Sequence, residues 1–211
     1  MHRVRFIVDG FNLYHSIREA ELHAGRGLRW LDIDSLCRSM LHLIGDGAES
    51  AGIDYFSALA KHREGIRPGT TARHLSYIDA LRASKVAAYL GHFKGKPDEC
   101  QKCGVRFIRH EEKETDVAVA CRLIELFVSD KCETAVLISG DSDMAPAIRA
   151  TRRLYPGAKV IVMFPFDRRS KELADLADRS YKISLEQYQR HQFPDEVSTT
   201  GGRTVKKPER W

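Results

Sequence analysis

The apolar residues of this chain follow two rhythms that take turns. Val4, Phe6, Ile7 and Val8 form a nearly continuous β-favouring run, and residues 53–59, 85–90, 135–139 and 159–164 repeat the pattern. Runs of that length without polar alternation predict strands covered on both faces, as in a parallel sheet. Between the runs, apolar positions recur three and four residues apart. Leu13, Ile17 and Ala20 do so first, then residues 31–44, then Leu75, Ile78 and Leu81. Val117, Ala120, Cys121, Ile124 and Val128 follow, and then Met144, Ala147, Ile148 and Leu154. This spacing predicts helices. Strand and helix in alternation predict an α/β fold with a central, mostly parallel sheet between helical layers. A short periodic segment ending at Ala177, an edge strand at 181–183 and a last helical turn at 185–191 complete the pattern.

Two stretches break it. Residues 91–109 read as a Gly/Pro/Lys loop around the two-thiol turn Cys100-Gln101-Lys102-Cys103-Gly104. Such a turn can be half of a structural Zn²⁺ site, but that site needs four ligands and the sequence has no second pair of this kind. His92 and His110, or the same pair from a second subunit in a homo-oligomer, would have to complete it. The other reading is two incidental thiols in a tight loop. Beyond Phe193 there are too few apolar groups to offset the entropy of ordering. Residues 193–211 are therefore expected to be a flexible, mildly basic tail on a domain spanning 1–192.

Composition narrows the class. With 211 residues, 43% hydrophobic and 30% charged, the chain matches one well-packed domain. No apolar run approaches the ~20 residues of a membrane span, and a strand rather than a signal peptide follows Met1. A cytoplasmic protein without a membrane partner is expected. Five cysteines, an odd number in a chain of this size, argue against a disulfide framework. A net charge of +5 admits a polyanionic partner.

The placement of charge is more informative. The first strand ends in Asp9-Gly10-Phe11-Asn12, and the run at 135–139 ends in Gly140-Asp141-Ser142-Asp143. Each acid alone is explained as a helix cap, and so is Asn12. Asp116 falls in the first turn of its helix. Right-handed crossovers of a parallel sheet put helix N-termini at the rim that holds strand C-termini. Asp9, Asp116, Asp141 and Asp143 are thus expected at one rim, where like charges repel unless a divalent cation joins them. Loops assigned to the same rim carry Lys61 and Arg63, Lys94 and Lys96, and Arg168, Arg169 and Lys171. Cations around an acidic centre suit a site that grips phosphates.

These segments also resemble a known family. Asp9-Gly10-Phe11-Asn12-Leu13-Tyr14, Glu112-Lys113-Glu114-Thr115-Asp116-Val117 and Ser139-Gly140-Asp141-Ser142-Asp143 are similar, in order and spacing, to the motifs of NYN domains in the PIN-like nuclease group. The resemblance covers residues 3 to about 190. It implies a PIN-like α/β/α sandwich and a Mg²⁺- or Mn²⁺-dependent ribonuclease acting on RNA. By the same resemblance Asp9, Asp116, Asp141 and Asp143 are metal ligands, Asn12 is a polar partner of the site, and Lys113 is the basic residue before the central acid. Cleavage would leave a 5′-phosphate and a 3′-hydroxyl. Two other readings compete with this one. A haloacid-dehalogenase-type phosphatase needs Asp-x-Asp after the first strand, whereas Gly10 and Phe11 follow Asp9. A non-catalytic RNA-binding or adaptor module would keep the same fold without turnover.

Overall fold

The first apolar run becomes the middle of a sheet. In the computed structural model, which describes residues 2–199 and 201–209, the chain runs β1 (His2–Asp9), α1 (Gly10–Ala24), α2 (Ile33–Ser39), β2 (Ala48–Ala58), α3 (Thr70–Ala83) and β3 (Val86–Glu99). It continues through β4 (Arg106–Lys113), α4 (Thr115–Val128), β5 (Thr134–Ile138), α5 (Ala145–Leu154), β6 (Lys159–Phe164) and α6 (Lys171–Leu176). The last elements are β7 (Arg179–Lys182), α7 (Leu185–Arg190), β8 (Glu196–Ser198) and β9 (Thr204–Lys206). Seven strands form one sheet in the order β4-β3-β2-β1-β5-β6-β7, with only the β3–β4 pair antiparallel.

Strand alternation sorts the core into two layers. Val4, Phe6 and Val8 of β1, with Val136 and Ile138 of β5, pack under α1, α2, α3 and α7. Ile7, Ala135 and Leu137 face the other way, onto Val119, Leu123 and Leu126 of α4 and Ile148 of α5. Side chains two apart share a face, so Arg5 and Asp9 point with Ile7 toward the α4 side. Arg5 meets Asp54 of β2 there. The buried Asp54 carboxylate accepts from Arg5 at 2.8 and 2.9 Å and from Arg122 of α4 at 3.0 Å. Burial raises the Asp54 pKa, but the hydrogen bonds and charges of the two guanidinium groups outweigh it and hold the carboxyl below its ordinary value.

Three expectations need correction. Residues 91–109 are not a loop: β3 follows β2 as far as Gly91, continues past the sheet to Glu99, and returns as β4 in a two-stranded ribbon. Both faces of this ribbon meet solvent, so its residues carry no apolar rhythm. The helix expected over 31–44 is shorter, because Asp32 caps it at Ser35 N–H and a 3₁₀ turn at Leu41–Leu43 follows. The segment beyond Phe193, expected to be flexible, instead forms β8 and β9, which pair and bury Val197 and Val205 against the α3 side of the core. Among the described residues no helix is long and apolar enough to cross a membrane.

Candidate metal centre

The sheet order places the site. From β1 the chain moves outward to β2 and β3, then crosses back to β5 on the other side of β1, which makes a switch point between β1 and β5. Ligands of open α/β sheets bind at the carboxyl ends of strands flanking such a point. Asp9 ends β1, Asp141 follows β5 by three residues, and Asp116 enters from the first turn of α4, the helix leading into β5. These three offer carboxylate oxygens that all lie within 4.8 Å of one another.

Each acid is held differently. Asp9 is 2% exposed and caps α1: its Oδ1 accepts from the N–H groups of Phe11 and Asn12 at 3.1 and 3.0 Å. Ser139 Oγ donates to the other oxygen, Oδ2, at 2.8 Å, and itself accepts from Asp141 N–H at 3.0 Å. Asn12 is not the cap. Its Oδ1 accepts from Gly140 N–H at 2.9 Å, tying the loop after β5 to the start of α1. Gly140 is obligatory because an added Cβ would lie 1.7 Å from the Arg168 carbonyl oxygen. Asp141 caps the 3₁₀ turn Ser142–Met144 by accepting from Asp143 N–H at 3.0 Å. Asp143 itself is exposed and does not join the group within 4.8 Å.

Asp116 is positioned by the backbone rather than by a cap of its own. Glu114 turns the chain with φ 78°, and Glu112 Oε1 accepts from Thr115 N–H and Oγ1 at the start of α4. Burial, then the charges of Asp9, Glu112, Asp141 and Asp143, push the Asp116 carboxyl up to about 6. Burial likewise raises Asp9 against the hydrogen bonds that favour its charged form. Asp9 and Asp116, held back from ionisation, and Asp141 beside them offer hard oxygen donors, a set that could hold a divalent cation.

The family model of the NYN domain matches residues 3–186, most of the chain. The chain belongs to the NYN domain family. NYN domains are PIN-like nucleases that act on RNA. A curated relative, 6-hydroxy-3-succinoylpyridine 3-monooxygenase HspA of Pseudomonas putida, is 24% identical over 71% of this chain, and the match spans 55% of that protein's length. A crystal structure of a protein of unknown function from Vibrio parahaemolyticus superposes with a TM-score of 0.56 and 20% identity, over 87% of this chain and 93% of the other. That likeness supports the α/β/α sandwich and nothing finer.

The basic residues of this NYN chain divide into two groups. Arg63, after β2, and Arg168, after β6, lie close enough to His15 of α1 that burial and then their charges, with Arg18, lower its pKa, while Asp9 opposes them. The apolar pattern does not single out His15, one turn of helix after Asn12, nor Arg18 beside it. Lys61 and Arg169 are exposed on the segments after β2 and β6, and Lys171, also exposed, opens α6. Lys94 and Lys96 are not on a rim loop but out on the ribbon, and Lys113 is paired with Glu111 at 2.9 Å.

Cys100 and Cys103 stand at the ribbon tip. His110 faces Gly95, five residues down β3 from Cys100, and His92 lies three residues further. At ~3.3 Å per residue both are more than ~15 Å from the thiols. The intrachain zinc set with these histidines is therefore not formed among the described residues.

Proposed function

We propose that the protein is a ribonuclease in which Asp9, Asp116 and Asp141 hold Mg²⁺ or Mn²⁺ at the carboxyl edge of the sheet. The observation carrying this reading is the convergence of three acids from separate segments to within 4.8 Å at the switch point. When bound, a hard divalent cation supplies Lewis-acid charge and makes water a better nucleophile at the scissile phosphodiester. Asp9 is locked by three hydrogen bonds, so it sets the position of the others. Ser139 and Asn12 fix the loop that carries Asp141 relative to Asp9. Asp143, two residues beyond Asp141, orients solvent at the rim. Arg63 and Arg168 flank the acids and bind the phosphates on either side of the cut, fixing the strand without reading its sequence.

The oxygenase name of the Pseudomonas relative belongs to a longer protein matched at low identity, and the three oxygen donors here favour hydrolysis. Incubating the protein with single-stranded and structured RNAs, with and without Mn²⁺, tests the reading. Mn²⁺-dependent cleavage is expected, and Asp141→Asn should lower it on the order of 100-fold or more while leaving the metal-free melting temperature equal or higher. Cleavage unchanged in both Asp141→Asn and Asp9→Asn, or no metal-induced rise in melting temperature, sinks the nuclease and leaves an RNA-binding module.

A further inference from the structure

Beside the acids, the base of the ribbon encloses a cavity of about 550 Å³ that metal binding does not use. Its walls are rings. His62 and His110 stack with centroids 4.2 Å apart and planes 8° from parallel, and Phe93 leans on His62 at 4.6 Å. Leu59, Leu90, Lys61 and His92 also line it. His62 Nδ1 is buried and has no hydrogen-bond partner. Gly95, opposite His110, keeps the space open, since a Cβ there would already crowd Ile108 at 3.0 Å.

The cavity is coupled to the acids through short links. Phe93 meets Phe11 edge-on at 5.7 Å, and Phe11 N–H donates to Asp9. At Gly91 a Cβ would strike the Lys113 carbonyl oxygen at 2.7 Å and Thr115 Oγ1 at 3.0 Å, so the cavity floor abuts the residue preceding Asp116.

We propose that this slot receives one unstacked nucleobase of the RNA strand and so sets which phosphodiester reaches the acids. The proposal rests on the ribonuclease reading and names how the substrate is seated. Unpaired bases are held by stacking on aromatic and histidine rings and by bonds to their edges, and the slot supplies both, with Lys61 exposed on its lining for the adjoining phosphate. The ring pair is not a cation site: among the described residues only the acid group brings three ligand atoms together. Burial and the neighbouring His110 and Arg63 lower the His62 pKa, which keeps that ring neutral and able to stack.

Binding of the full chain to fluorescent single-stranded RNA, with Ca²⁺ replacing Mn²⁺ to suppress turnover, decides the matter when one abasic ribose is walked through the strand. Loss of the seated base should weaken binding about tenfold at one position and little elsewhere. Phe93→Ala, and separately the His62→Ala/His110→Ala pair, should erase that positional difference while keeping the metal-induced rise in melting temperature. Equal binding at every abasic position, a preference that survives both variants, or no RNA binding overturns the slot. Adenosine monophosphate competing as well as the oligonucleotide also overturns it, because the site would then take free nucleotides. Mn²⁺-dependent cleavage without a base preference sinks the slot alone, whereas a base preference without cleavage sinks the nuclease and keeps the slot.

Discussion

Asp116 is the residue through which acidity should govern the centre. Its proton is released at about 6 in the folded chain and near 3.8 in the unfolded one. Between those values the folded state binds more protons, so Asp116 makes the metal-free protein less stable as pH rises through that window. A cation needs the ionised form, so its affinity rises over the same range. The Mn²⁺-induced increase in melting temperature should therefore be large at pH 7.5 and small at pH 5, read by calorimetry at fixed metal concentration. Asp54 behaves in the opposite sense, because its paired carboxylate favours folding above its unfolded pKa and loses that contribution in acid. Asp54→Ala strands Arg5 without a counter-charge and leaves Arg122 only Glu125, and should cost about 3 kcal/mol in urea unfolding.

At the scale of elements, the loop after β5 is held by close backbone approach. Gly140→Ala must push the Arg168 segment away, with an expected loss of about 1–3 kcal/mol and weaker metal binding, both measurable by melting with and without Mn²⁺. The elements that bear the acids are legible in the sequence, because β1, β5 and the helices after them have strong apolar rhythms and end in Asp9 and Asp141. The link between those acids is not. By pattern alone Ser139 is the end of an apolar run, Asn12 a cap, and Glu112 an acid of a charged segment. The roles of Ser139 and Asn12 depend on contacts across more than a hundred residues, and spacing does not report these. The ribbon is hidden for a related reason: a pair of strands wet on both faces shows no burial pattern to read. The β8–β9 hairpin is hidden because its valines are buried by α3 and the adjoining core, not by each other.

For the whole molecule, these contacts change what the C-terminal residues should do. The Pro194 carbonyl accepts from the buried Trp30 Nε1–H at 2.8 Å, and Val197 and Val205 cover the α3 side of the core. Truncation after Phe193 should lower the melting temperature by several degrees, with RNA affinity of the surviving fold nearly unchanged. Arg63→Ala with Arg168→Ala should do the converse, weakening RNA binding and flattening its dependence on salt, since each lost phosphate contact releases fewer counterions. A truncation that costs more affinity than the arginine pair would move the RNA path away from the rim.

The ribbon also has a mechanical character. It parts from β2 after Gly91 and ends at Glu114, the turn from which α4 and Asp116 start. With about eight residues from His92 to Cys100, its arm is roughly 26 Å long. A swing of about 2° at the base carries the tip by ~1 Å but shifts a group next to the pivot by only ~0.2 Å. Strand length alone therefore separates the two ends: a tilt that displaces the tip by an ångström would leave the carboxylates at its root at their spacing.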